Sequence, residues 1–493
     1  MSEPIISPKV SERSDRLQKL TDLQKNNLNP YPAKVRRDYF LSQVLDDFKT
    51  LEKSARSFFV AGRLRSIRSH GNLTFANLED FSGVMQIALS KKDLGEESYK
   101  QFLKLIDSGD FIEIEGLCFT THKGEKSLML KNWKLLTKSL RPIPDVWYGL
   151  KDEEERYRRR YLDILLNPAT REMILKRAKF WQAARQFLIE RGFIEVETPV
   201  LETMAGGADA RPFKTHHNAL DIDVFLRIST GELWQKKLMV AGFDKTFEIG
   251  RQFRNEGMDA EHLQDYTQLE FYWGYADYEQ GMALTEELYK HIAQEAFGTL
   301  KFKIRNFEID LGKTWEKYDY RATVKKYTGI DILQATEKDI KKKLDELKVE
   351  YDQKGFNITR AIDNLWKYCR KQIAGPGFLI GTPITVSPLA KRDENNPELA
   401  QRFQVILAGS ELGNGYSELN NPLDQEERFK EQQKFREAGD EEAQPHDTDF
   451  VEALEYGMPP TCGFGMSERY FSFLMDKPAR ECQIFPLMKP RKD

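Results

Sequence analysis

The chain has 493 residues, 40% of them hydrophobic, and its 75 basic and 78 acidic side chains leave a formal charge of -3. Such a length predicts two or three domains with a large buried core, and the balanced charge excludes a uniformly basic nucleic-acid binder, so RNA contacts would have to come from local patches. No apolar run approaches a membrane span, the Met1-Ser-Glu-Pro start carries no apolar signal core, and Cys118, Cys369, Cys462 and Cys482 show no Cys-x-x-Cys spacing; the expectation is a cytoplasmic protein with reduced thiols and no membrane partner.

In chain order, residues 1–56 read as a helical extension of one or two amphipathic helices, with Leu17, Leu20 and Leu23 at helical spacing and a break at Asn29-Pro-Tyr-Pro32. Residues 57–140 change texture. Short alternating runs at Phe58–Arg63, Leu73–Leu78, Val84–Leu89, Phe111–Gly116 and Leu128–Lys131, with a helical interruption at Glu96–Ile106, predict a five-stranded OB-type barrel. Phe75 and Gln86 fall on neighbouring strands and Arg63, Arg65 and Arg68 cluster just before them. Aromatic faces stack unpaired bases while guanidinium groups hold phosphate, so this face suits single-stranded RNA; a purely structural barrel is the other reading.

Residues 141–169 read as a linker or hinge helix, whose run Lys151-Asp-Glu-Glu-Glu-Arg-Tyr-Arg-Arg-Arg160 suggests a solvated face of paired charges. The remainder, 170–493, opens on a helix over 170–191 with Ile174, Trp181 and Leu188 on one stripe and Phe180, Ala184 and Phe187 beside it. Strand patterns then alternate with helices, and a mixed insertion near 300–380 ends at Gly375-Pro-Gly377. Antiparallel signals return at Phe403–Leu407 and Tyr416–Leu419, before a charged helix near Gln425–Ala438. Adjacent His216 and His217 would point to opposite faces of a strand, which argues against a shared metal ion.

Three segments carry the chemistry. Gly192-Phe-Ile-Glu-Val-Glu-Thr-Pro199 reads as a helix end running into a strand closed by proline; Arg251-Gln-Phe-Arg254-Asn-Glu256-Gly leads to Thr267-Gln-Leu-Glu270-Phe-Tyr272; and Gly463-Phe-Gly-Met-Ser-Glu-Arg469 places a second arginine behind a glycine-rich bend. Two permanent cations and a lane of carboxylates can hold a triphosphate against a charged substrate without a P-loop. In this order the segments resemble motifs 1, 2 and 3 of the class II aminoacyl-tRNA synthetases. Gly206-Gly-Ala-Asp-Ala-Arg-Pro-Phe213, Thr215-His-His-Asn-Ala-Leu-Asp221, Val386-Ser-Pro-Leu-Ala-Lys391 and Glu411-Leu-Gly-Asn414-Gly-Tyr-Ser-Glu418 are similar to the lysyl members of that class.

The resemblance implies an α+β architecture: an OB barrel that binds the anticodon, then a catalytic domain built on an antiparallel sheet flanked by helices. It implies L-lysine, ATP and lysine tRNA as substrates, Mg²⁺ with the ATP, and a homodimer formed through motif 1. For lysine it implies Glu232 and Glu418 on the side-chain ammonium, Tyr272 capping it, Glu270 and the Gly207 backbone on the α-amino group, and Asn414 and Tyr416 beside them. Arg254 would clamp carboxylate and α-phosphate, with Arg469 on the far phosphates, Glu256 and His262 nearby and Tyr266 against adenine. Glu411 and Gln404 would face the metal, and Phe75, Gln86 and Arg68 the anticodon.

Four positions depart from the family pattern: Glu261 where an arginine normally precedes the histidine, Gln404 for an acidic metal ligand, an extra residue in Ser229-Thr-Gly231-Glu232, and Ile67 for an arginine. A carboxylate about 6 Å from phosphate would cost on the order of 3 kcal/mol at an effective dielectric near 20, so Glu261 is expected to point elsewhere. The two charge changes leave the site one unit more negative, with metal binding weakened because an amide oxygen is a poorer ligand than a carboxylate. Gly409 suggests a bulge bringing Gln404 and Glu411 to one face. Two other readings stand beside the ligase: a synthetase-derived regulatory RNA binder, and an enzyme that lysylates a protein.

Overall fold

The computed structural model describes every residue except 1–9, 145–149, 151, 209, 352, 354–355, 438–444 and 492–493. It divides into two compact units, Met1–Gly149 and Leu150–Asp493.

In the first unit, strands β1 (Phe58–His70), β2 (Leu73–Glu79), β3 (Val84–Ser90), β4 (Phe111–Thr120) and β5 (Lys126–Thr137) close into a barrel in the order β1-β2-β3-β5-β4. The period-two pattern dictates this: Thr74, Ala76 and Leu78 are buried while the intervening side chains of β2 stay partly exposed. Three helices lead the chain rather than one or two, Val10–Lys25, Leu41–Asp46 and Phe48–Ser54. Their Leu23, Leu41, Val44 and Phe48 join the barrel core.

In the second unit the run read as a linker or hinge helix forms helices Glu153–Arg158 and Arg160–Leu166, but its last residue departs from a solvated face. Arg160 is buried, held by Asp163 at 2.8 Å and by the Glu481 carbonyl at 2.6 Å. A charge can leave water only where such partners receive it. Strands follow as β6 (Ile194–Glu195), β7 (Leu201–Glu202), β8 (Lys214–His217), β9 (Ile222–Leu226), β10 (Lys245–Phe253), β11 (Asp265–Gly274), β12 (Lys301–Ile304), β13 (Phe307–Asp310), β14 (Glu316–Asp319), β15 (Gly377–Ile380), β16 (Arg402–Leu407), β17 (Ser410–Ser417) and β18 (Thr461–Ser467). Eight of them form one sheet, β14-β15-β16-β17-β18-β11-β10-β6, antiparallel at its centre and parallel in the outermost pairs.

Helices Pro168–Glu190 and Tyr278–Phe297 bury one face of this sheet. Each starts where its sequence says it should. Asn167 accepts a hydrogen bond from Ala169 N just ahead of Pro168, and Asp277 forms a capping box with Gln280. Phe180, Phe187, Phe271, Leu288 and Phe464 fill the layer between helices and sheet. The insertion makes a core of its own from Val324, Ile340, Leu344, Leu365 and Trp366, continued onto the sheet by Leu379 and Ile406. The opposite face of the central strands stays open for a site.

Phe180 is fully buried among Trp181, Tyr470 and Phe471. Phe180→Ala is expected to destabilise the catalytic unit by roughly 3–5 kcal/mol, read as a lower urea midpoint of the sheet-containing unit while the barrel transition stays in place.

Candidate active site

A cavity of about 770 Å³ lies over the open face of β11, β16, β17 and β18. Its floor is set by cross-strand register. Gly463 and Gly465 of β18 stand on one face, flanked by Tyr272 and Glu270 on β11 and by Tyr416 and Asn414 on β17. The segment expected as a glycine-rich bend is therefore a central strand, and its glycines make a trough. A Cβ on Gly463 would lie 2.1 Å from Glu418 Oε1 and 2.7 Å from the Tyr272 ring. Only glycine leaves room for that carboxylate. Gly207, at φ +89°, is equally constrained: a Cβ there would meet Ser229 Oγ at 2.7 Å and Glu232 Cβ at 2.9 Å.

One end of the cavity is acidic. Glu232, Glu270 and Glu418 are all buried and all line it, with Gly207, Tyr272, Asn414 and Tyr416 between them. Glu270 accepts hydrogen bonds from Thr230 N and Gln268 Nε2, both at 2.6 Å, and from the Tyr272 hydroxyl at 3.2 Å. The Tyr416 hydroxyl donates to Glu232 Oε1. Burial, reinforced by Glu232, pushes the Glu270 carboxyl up to about 7; burial likewise carries Glu418 up to about 8, although the Lys236 ammonium opposes it. Three carboxyl groups share one buried ammonium here. Arg402 fixes Asn414 by donating to its Oδ1 at 2.8 Å, and also reaches the Val386 carbonyl at 2.7 Å, which ties the Val386–Lys391 segment to this wall.

The other end is cationic. Arg254, just beyond β10, donates to the Ile228 carbonyl at 3.2 Å and lies 5.9 Å from the Tyr266 ring centroid. Arg254 and Arg469 line the same cavity, as do Glu256, His262 and Tyr266. His262 is half exposed, its Nδ1 2.8 Å from Asp259. Glu261, expected to point away, points in. Its carboxylate bridges Arg469 and Arg305 and accepts from Ser410 Oγ at 3.0 Å. Burial works against this charge, but Arg469 and Arg305 outweigh it and hold the Glu261 carboxyl at about 2. Arg305 is what the charge count from motifs alone missed: it sits at the β12–β13 turn with φ +56°, its guanidinium 4.6 Å from the Phe473 ring centroid. Two guanidinium groups share one carboxylate, so this cluster keeps net positive charge.

Gln404 and Glu411 also meet, though not through the expected bulge. Gly409 lies in the turn between β16 and β17 at φ +78°, so the two residues sit on adjacent strands; the register shift falls at Leu412 instead. Gln404 Nε2 donates to Glu411 Oε2 at 3.1 Å, and Trp366 Nε1 donates to Glu411 Oε1. Among the described residues no cluster of three or more His, Cys, Asp or Glu is placed to hold a metal.

The sequence motifs also missed a wall. Helix Ile358–Arg370 of the insertion brings Arg360, Asp363, Trp366 and Lys367 to the cavity; its periodicity marks a helix, but nothing in its residues marks a site. Lys236 was missed as well, despite a legible signal in its spacing of four from Glu232.

On the barrel, Phe75 is partly exposed on the outer face of β2, paired across the ladder with exposed Arg68, while Asn77 pairs with Gln86. Arg63 and Arg65 are otherwise engaged, the first over the Phe111 ring and the second with Glu79 at 2.9 Å. Gln86 Oε1 accepts from Ser127 Oγ at 2.8 Å.

The family model for class II tRNA synthetases (D, K and N) matches residues 152–489. The chain belongs to that family. Residues 58–136 match the OB-fold nucleic acid binding domain. Among curated relatives, the lysine–tRNA ligase of Thermotoga maritima is 41% identical over 97% of this chain and 96% of its own length. That of Carboxydothermus hydrogenoformans is 42% identical over 97% of both, and that of a Thermoanaerobacter species 43% over 97% and 96%. Every catalytic-unit residue proposed from the sequence lines this one cavity.

Gly463→Ala is expected to drive Glu418 and Tyr272 out of place and raise the KM for the amino acid by about tenfold or more, while the KM for the nucleotide stays within about twofold. Steady-state kinetics with each substrate varied in turn checks it.

Proposed function

We propose that this chain activates L-lysine with ATP and transfers it to lysine tRNA; its relatives carry the name lysine–tRNA ligase. The observation that carries the reading is the buried trio Glu232, Glu270 and Glu418 lining one cavity with Arg254 and Arg469. A substrate with two ammonium groups and one carboxylate answers that charge pattern, and a neutral or acidic amino acid would leave buried charge unmet.

In the first step a lysine carboxylate oxygen attacks the α-phosphorus and pyrophosphate leaves; in the second the ribose hydroxyl of the tRNA end attacks the adenylate carbonyl and AMP leaves. No protein nucleophile is needed, so the protein aligns reactants and neutralises growing negative charge. Arg254 is the group we assign to the lysine carboxylate and α-phosphate together, since a guanidinium grips two oxygens in one plane. Tyr266 stacks on adenine, Glu256 and His262 stand beside the nucleotide, and Arg469 meets the far phosphates with Arg305 behind it. The Glu411 carboxylate and the Gln404 amide oxygen suit a Mg²⁺ ion carried in by the triphosphate, which would supply most of its ligands and whose charge would shield the phosphates.

Phe75, Gln86 and Arg68 form the anticodon-reading face of the barrel. A homodimer fits the edge of the sheet: β6 is only two residues long, and Ile189, Ile194, Val200 and Leu201 are exposed around it. No helix of the described residues is long and apolar enough to cross a membrane; we place the enzyme in the cytoplasm, where its substrates are.

Lysine-dependent exchange of pyrophosphate into ATP, run with each amino acid, tests the reading. Lysine alone should support it, and exchange driven by another amino acid would overturn the assignment. Phe75→Ala should reduce tRNA charging by about tenfold while leaving exchange within about twofold, because base stacking contributes about 1–3 kcal/mol; equal damage to both would make Phe75 a core residue. Glu261→Gln should release Arg469 and lower the KM for ATP by about three- to tenfold in the same assay.

A further inference from the structure

Behind the acidic wall, on the protein side, lies a cation that the reaction as derived does not use. Lys236 stands one turn after Glu232 on helix Glu232–Val240, and its side chain is 2% exposed. Its Nζ is 2.9 Å from Glu232 Oε1 and 2.6 Å from Glu418 Oε2, and lies 5.5 Å and 5.8 Å from the ring centroids of Tyr416 and Phe450. Glu232, Glu418 and Tyr416 line the cavity and Lys236 does not. The ammonium therefore reaches both carboxylates from the rear and leaves their cavity side to a ligand.

Charge counting gives this a purpose. Once an incoming cation has drawn off their protons, Glu232, Glu270 and Glu418 bring three negative charges to one buried pocket, and Lys236 cancels one of them. Two remain, which matches the α- and side-chain ammonium groups of lysine, whose own carboxylate is left for Arg254. The other ionisable neighbours keep out of this count. The Tyr272 and Tyr416 hydroxyls and the Cys462 thiol are buried and held neutral, and Arg402 is committed to Asn414 and the Val386 carbonyl.

We propose that Lys236 is a specificity-determining positioning residue: a resident ammonium that sets the ionised, substrate-receiving pocket at two negative charges, so that a diamino acid and not a monoamino acid neutralises it. The inference rests on the lysine reading above and deepens it. Without Lys236 three carboxyl groups face one another with no cation, like charges resist joint ionisation, and their protons are held to still higher pH.

The test is Lys236→Met, near in volume and without charge, in lysine-dependent pyrophosphate exchange from pH 6 to 9. Expected are an acid limb of kcat/KM for lysine displaced upward by about one pH unit or more, a KM for lysine about tenfold higher at pH 7, and a KM for ATP within about twofold of native. A native acid limb with only a general loss of kcat would make Lys236 structural and overturn the proposal. Where K236M is too unstable to purify, the K236M/E418Q protein restores the charge count. It should bind lysine more tightly than E418Q alone, whose pocket keeps only one negative charge, whereas losses that multiply would overturn the proposal equally. Failure of the native enzyme to exchange with lysine would sink the substrate reading itself, and is distinguishable from both.

Discussion

Buried carboxylates must be met by positive charge, and the arrangement of this catalytic unit follows from where that charge comes from. At one end of the cavity Glu232, Glu270 and Glu418 stand together and Lys236 pairs with the first and last of them, so the substrate has to bring the remaining positive charge. At the other end the imbalance is reversed: Arg254 and the Arg305–Glu261–Arg469 cluster carry surplus positive charge toward a polyanion. A molecule seated across both ends has its ammonium groups and its carboxylate oriented before any bond changes. Orientation of that kind accounts for much of what an enzyme without a covalent intermediate can contribute.

The fold serves this separation through a strand that has almost no side chains where they would obstruct. β18 lies between β11 and β17, and its alternation of Gly463 and Gly465 with Phe464 and Met466 puts bulk into the core and space over the sheet. The flanking strands then present Glu270, Tyr272, Asn414 and Tyr416 across that space at positions fixed by ladder pairing. A site on paired strands keeps its geometry better than one on loops, and the His262 loop, half exposed and joined to Asp259, shows the contrast at the other end of the cavity.

Much of this was legible in the residues. Period-two runs marked all five barrel strands, and the helix stripe of Phe180, Ala184 and Phe187 marked the face buried on the sheet. The motif residues named for lysine and ATP converge on one cavity because motif spacing encodes strand register. What stayed hidden depends on contacts between segments distant in sequence. Glu261 looked misplaced beside phosphate until Arg305, 44 residues on, came to meet it. Trp366 reached Glu411 from an insertion whose periodicity spoke only of helix, and a local turn at Gly409 was mistaken for a bulge because hairpin and bulge share the same glycine signal. The charged run ending at Arg160 read as solvated because its buried partners, the Glu481 and Gln483 carbonyls, lie more than 300 residues away.

The central claim is that the pocket is an acidic receptor completed by the substrate's own ammonium groups. Calorimetric titration with L-lysine and with L-norleucine, which lacks the side-chain ammonium, in buffers of different ionisation enthalpy tests it most directly. With Glu270 held near 7 and Glu418 near 8 in the empty pocket, lysine binding should release protons at pH 7, fading toward pH 9, and norleucine should bind far more weakly. Comparable affinity for the two amino acids, with no linked proton release, would contradict the account.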